Sequence, residues 1–197
     1  MQPVNPKLNL IVYRCLSEAV RELTLNNELS FVYTEQGVPE TGKAIHAMWL
    51  QAKIGNVPFK VFSGANAEEN LYFSPRVNLL YRAVHDVDHA LAYSVGRGTT
   101  KYEDELYLNC LMAKRVYDWT VQCDAYTEAD ALLAFFVMYH DTVGQAVYYK
   151  EHGEFCVDQR THTMRLVNTC KGWNLLQQGM IAPARQVMIA YLNECGV

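Results

Sequence analysis

The chain has 197 residues, half of them hydrophobic and 19% charged, and 17 Lys and Arg against 21 Asp and Glu leave a net charge of −4. A chain of this length buries roughly 70% of the surface it exposes when unfolded, so it encloses a core without disulfide or metal staples, and a metal here is functional before it is structural. The mild acidity, with no run of Lys or Arg, argues against duplex nucleic acid or an acidic membrane as main partner, because both need clustered cations.

No stretch approaches the roughly 18 apolar residues that cross a bilayer, and MQPVNPKLNL lacks the basic-then-apolar layout of a leader peptide. The expected location is the cytoplasm. Cys15, Cys110, Cys123, Cys156, Cys170 and Cys195 never reach a C-x-x-C spacing, which favours reduced, buried thiols over a disulfide frame. With no repeat, low-complexity tract or long linker, residues 1–197 are read as a single domain.

In chain order, the run from Lys7 to about Asn26 places Leu8, Ile11, Cys15, Leu16, Ala19, Val20 and Leu23 at three-and-four spacing, an amphipathic helix. Residues 29–64 change character: LSFVYTEQG and VPFKVFSG are short β-branched or aromatic runs bounded by Gly, Pro and Asn. They predict a small hairpin or irregular insertion, with a helical turn around Ala44–Ala52 between them. From Pro75 onward the chain reads as helices. Leu80, Val84, Val87 and Leu91 form one stripe that ends before Gly96 and Gly98. Further helices are expected over about 102–122, from the Thr127 cap to about 151, over about 159–177, and over 184–194 after Pro183. DALLAFFVMY is apolar on nearly every face and predicts a central helix. The fold class is therefore mainly α, a bundle of five to seven helices with a small β or irregular insertion near residues 29–64.

The chemistry concentrates in RAVHDVDHALAY. His85 and His89 are one helical turn apart, the spacing at which two imidazoles grip a single ion. Asp86 and Asp88 flank them, and the four side chains span an arc of roughly 160° at 100° per residue. Each carboxylate can bind a metal directly or orient a histidine. The remaining ligands must come from neighbouring helices. Glu103 shares a stripe with Leu106, Cys110, Ala113 and Tyr117 and is favoured; Glu105 stays open, because that helix is apolar over most of its circumference. His140 and Asp141 directly follow the apolar run, where a charge without a partner costs several kcal/mol. They point about 100° apart, so one of them reaches a shared site, Asp141 ahead of His140. His46 beside Trp49 is expected to pack, and His152 and His162 to lie on the surface.

Two resemblances attach to these residues. HDVDH resembles a metal-binding segment of the HD-type phosphohydrolases, particularly the cyclic-nucleotide phosphodiesterases, which would select His46, His85, Asp86 and Asp141. More broadly, SPRVNLLYRAVHDVDHALA, YEDELYLNCLMAKR and DTVGQAVYY are similar in order and spacing to a group of largely uncharacterised bacteriophage proteins. That resemblance implies a phage origin, covers about residues 74–149, and selects His85, Asp86, His89, Glu103 and Asp141, with Gln145 nearby. Three departures stand out: Asp88 at the motif's glycine, Asn109 where a His is expected, and Asp141 in place of Glu. The HExxH peptidase frame fits less well, since Asp86 is one methylene shorter than the Glu used there as general base.

The resulting expectation is a divalent-metal enzyme (Mn, Fe, Zn or Mg), a hydrolase of a phosphate ester or nucleotide. His85, His89, Glu103 and Asp141 would hold metal, with Asp86 or His140 as catalytic base, and the partner would be a small phosphorylated molecule. Two alternatives use the same residues: an oxygen-activating non-haem iron protein, and a non-enzymatic phage accessory protein that binds or inhibits a host protein, with the cluster as an internal network.

Overall fold

The computed structural model describes residues 5–27, 29–55 and 57–197. Met1 to Val4, part of the segment read for a leader peptide, lie outside the described residues. The fold is mainly α, with eight α-helices and one two-stranded sheet among the described residues. No described helix is long and apolar enough to cross a membrane.

The first helix, α1, spans Pro6–Asn27 and buries Leu8, Ile11, Val12, Cys15 and Leu16, the stripe its periodicity predicts. The insertion that follows is not a hairpin. Strands β1 (Phe31–Thr34) and β2 (Phe59–Phe62) pair in parallel, Phe31 opposite Phe59 and Thr34 opposite Phe62. Parallel strands need a crossover, and here it is α2, a full helix over Gly42–Gly55.

Helix α3 spans Pro75–Tyr93, with Pro75 in its first turn and the Ser74 hydroxyl accepting from the Val77 amide. It lies between two cores. Ala83, Val87 and Ala90 join Leu29, Ile45, Ala52, Phe59 and Val61 in the core of the insertion. Val77 and Val84 join the main core with α1 and the later helices. Val20 and Leu23 of α1 touch both cores and tie the insertion to the bundle. With two faces of α3 occupied by apolar packing, the stripe bearing His85 and His89 is left to face α4.

Helices α4 (Tyr102–Gln122) and α5 (Glu128–His152) form an antiparallel hairpin, with the Lys150 ammonium over the Tyr102 ring at its open end. A capping box closes the start of α5: Thr127 and Asp130 bond each other's backbone amides, and Asp130 also accepts from Lys7 at 2.6 Å. Leu132, Phe135, Phe136 and Met138 are fully enclosed, as expected of a central helix. The stretch expected as one helix over 159–177 is two, α6 (Gln159–Thr169) and α7 (Lys171–Gln177), because Cys170 is extended and its thiol caps α7. Helix α8 (Ile181–Cys195) starts three residues earlier than Pro183 suggests, with that proline inside its first turn, where a missing N–H costs nothing. All six cysteines are free thiols.

Candidate metal centre

One turn of α3 and the first turn of α4 bring three donor groups together. The Nε2 atoms of His85 and His89 are 3.2 Å apart, His85 Nε2 is 3.3 Å from Glu105 Oε2, and His89 Nε2 is 3.1 Å from Glu105 Oε1. Among the described residues these three form a group of possible metal ligands, its atoms all within 4.8 Å of one another. The site is secluded: the side chains of His85, His89 and Glu105 are 12%, 3% and 27% exposed.

The surroundings fix the rings. His89 Nδ1 lies 3.1 Å from the Gly98 carbonyl. A carbonyl only accepts, so Nδ1 carries a hydrogen and Nε2 is the atom turned to Glu105 and His85. Gly98 has φ of +84°, a conformation that a side chain rarely adopts. His85 stacks on Tyr81, with ring centres 5.2 Å apart, and the Tyr81 hydroxyl donates to Asn109 Oδ1 at 2.6 Å. Asn109 is one turn beyond Glu105 on α4 and is 3% exposed. His85 Nδ1 is enclosed without a hydrogen-bond partner.

Electrostatics follow from this crowding. Burial works against the Glu105 charge, but bonds from both histidines outweigh it and hold the carboxyl well below the usual range. Burial also disfavours a charged His89, yet the bond to Glu105 prevails and raises its pKa. Desolvation pushes the Asp86 carboxyl up to about 6, opposed by the nearby His85, His89 and Arg82. A divalent ion would take the place of the hydrogen bonds that now join Glu105 to the two histidines.

The fit to an ion can be judged from the separations of the donor atoms. Ligands about 2.1 Å from a metal are separated by about 3.0 Å at octahedral right angles and by about 3.4 Å at tetrahedral angles. The 3.2 Å between the two histidine nitrogens falls between those limits, and each nitrogen has its own Glu105 oxygen at a similar distance, Oε2 at 3.3 Å from His85 and Oε1 at 3.1 Å from His89. Two imidazoles and one carboxylate leave further positions open, as in catalytic rather than structural sites.

Glu105 stands where the sequence favours Glu103. The stripe of Glu103, Leu106, Cys110, Ala113 and Tyr117 is indeed apolar, but it turns to α8: the Cys110 thiol bonds the Tyr191 carbonyl. The opposite stripe, with Glu105, Asn109, Met112 and Val116, takes the α3 side, and Glu103 is left exposed.

Asp141 is not in the cluster either. It accepts from Thr163 of α6 at 2.8 Å, and desolvation pushes its carboxyl up to about 6. It lines a water-sized cavity with Tyr72, Asn78, Tyr81 and Met138, so Tyr81 is the ring that connects it to His85. His140 turns the other way, edge-on to Tyr139 and Tyr191, with Nε2 enclosed and without a hydrogen-bond partner. That seclusion lowers its pKa to about 4, and it does not face the cluster. Of the two residues expected as catalytic, Asp86 lies within electrostatic reach of the triad and His140 faces elsewhere. Asp88 faces away from the histidines into a two-point ion pair with Arg115, at 2.7 and 2.8 Å.

His46 packs as expected, with Nδ1 2.7 Å from the Ala90 carbonyl and the ring between Trp49 and Tyr93. The phosphodiesterase-like frame of His46, His85, Asp86 and Asp141 is thus not assembled around one point. His152 is exposed, whereas His162 is half-buried against Gly144 and Tyr148. A wide cleft of about 630 Å³ between α1 and α4, lined by Glu18, Glu22, Lys114 and Trp119 among others, includes none of the triad. No family model, curated protein or solved structure matches the chain.

Proposed function

We propose that the chain is a divalent-metal hydrolase in which His85, His89 and Glu105 hold one ion, with a phosphate ester or nucleotide as substrate class. The observation that carries this reading is the cluster itself: two imidazole nitrogens 3.2 Å apart with one carboxylate turned to both, Oε2 to His85 and Oε1 to His89, and His89 committed through Nδ1 to a backbone carbonyl. The 3.2 Å between the two imidazole nitrogens matches the spacing of neighbouring ligands around a small cation, and the carboxylate faces both.

When bound, the ion supplies Lewis acidity and lowers the pKa of a coordinated water. The chain's own residues do the rest. Glu105 balances part of the ion's charge and couples α4 to α3. Tyr81, anchored on Asn109, sets the plane of the His85 ring. Asp86, next to His85 in sequence and within reach of the charges of both histidines, is the carboxyl that would accept a proton at the site.

A second reading, an internal network in a protein that binds a host factor, draws support from the seclusion of the triad and from the small cavity beside it. Protein purified without chelator and loaded in turn with Mn, Fe, Zn and Mg decides between them. The assay panel is p-nitrophenyl phosphate, bis-p-nitrophenyl phosphate and nucleoside triphosphates. Metal-dependent turnover that is lost in His89→Ala supports the hydrolase. A loaded wild type inert across the panel refutes hydrolysis, and a wild type that takes up no ion favours the network.

A further inference from the structure

We propose that Gly42 and Gly98 are positioning residues for the metal centre, through which the β1–α2–β2 insertion seats the Gly98 carbonyl on His89; this rests on the reading of His85, His89 and Glu105 as ligands.

Helix α2 begins at Gly42, which is buried against the turn after α3. A Cβ on Gly42 would overlap the Gly98 carbonyl oxygen and crowd the Gly98 carbonyl carbon and Thr99 Cα at 3.0 Å. That oxygen is the one 3.1 Å from His89 Nδ1. The obstacle is backbone on both sides, so no rotamer change relieves it. Gly98 is constrained a second time: besides its φ of +84°, a Cβ there would overlap the His89 carbonyl oxygen and meet the Ala92 side chain at 3.0 Å. Two glycines on different elements thus allow one carbonyl to reach one ring nitrogen.

Neighbouring contacts continue the same arrangement. One turn along α2, His46 bonds the Ala90 carbonyl, the residue after His89. On the far side of Gly98, the Thr99 amide and hydroxyl both bond the Asp104 carboxylate, next to Glu105. The turn between α3 and α4 is therefore held at both ends, by α2 at the histidine end and by Asp104 at the glutamate end. Groups that orient a metal-bound imidazole typically carry a 10- to 100-fold effect on affinity.

The test compares Gly42→Ala with Gly172→Ala, whose Cβ would overlap the Phe136 ring in the main core instead. Calorimetric titration with Zn²⁺ and Mn²⁺ is paired with long-range ¹H–¹⁵N spectra of the metal-free protein, which report which His89 nitrogen carries hydrogen. Gly42→Ala is expected to lose about 10- to 100-fold in affinity and the wild-type His89 Nδ1–H signal. Gly172→Ala, though destabilised, is expected to bind as wild type does per folded molecule. Wild-type affinity and spectrum in Gly42→Ala, or an equal affinity loss in Gly172→Ala, would overturn the proposal. Should Gly42→Ala fail to fold, the wild-type spectrum still decides: a bare Nδ1 on His89 overturns it. If the wild type takes up no ion, the metal reading falls, while the His89 spectra of wild type and Gly42→Ala still test the positioning role.

Discussion

His140 and Asp141 are adjacent on α5, yet their surroundings push their pKa values in opposite directions. Burial lowers His140 from 6.5 to about 4, and desolvation raises Asp141 from 3.8 to about 6 against the Thr163 bond. A histidine with a depressed folded pKa contributes stability that is present above its unfolded pKa and is lost as pH falls towards the folded one. For Asp141, whose folded pKa is raised, the folded state binds the extra proton, so stability falls as pH rises through the same range. Integrated between about pH 4.5 and about pH 6.5, each effect is about 2 kcal/mol, with opposite sign, so the two nearly cancel in the wild type. Each single variant unmasks the other residue. Relative to wild type, His140→Phe gains about 2 kcal/mol on acidification across this window, and Asp141→Asn gains about 2 kcal/mol on alkalinisation. Urea unfolding of the three proteins at several pH values measures this directly. Variant curves parallel to wild type would refute the placement of both groups.

Two further substitutions probe the frame around the site. Arg115→Met leaves the Asp88 carboxylate, whose side chain is 9% exposed, without its partner; the expected cost is about 3–5 kcal/mol, and replacing Asp88 by Leu as well should recover much of it in chemical denaturation. Tyr81→Phe orphans the buried Asn109 carbonyl, for an expected loss of about 1–3 kcal/mol by thermal unfolding. A Tyr81→Phe protein as stable as wild type would show that this bond does not anchor the ring beside His85.

The His85 and His89 pairing was legible because a helical repeat places residues four apart on one face, whatever the rest of the fold does. The mainly α class followed in the same way from apolar spacing on α1 and α3, and from the capped, continuously apolar run of α5. Spacing could not say which neighbour each face of α4 meets. Both of its stripes are apolar, and only the packed bundle gives the Cys110 side to α8 and the Glu105 side to α3. The one available signal was Asn109, a polar residue one turn from Glu105 within an otherwise apolar run. The parallel pairing of β1 and β2 was hidden for a related reason. Each strand is only four residues long, and α2 between them reads as little more than a turn until its full 14 residues are seen packed on α3. Gly98 looked like a helix terminator, because a sequence does not reveal which atom a carbonyl meets.

Elemental analysis of protein purified without chelator and then loaded with Zn, Mn or Fe tests the centre most directly when wild type, His89→Ala, Glu105→Ala and Glu103→Ala are measured side by side. One ion per chain in wild type and in Glu103→Ala, with none in His89→Ala or Glu105→Ala, is the predicted result. An ion-free wild type, or an ion retained when Glu105 or His89 is replaced, would contradict the centre described above.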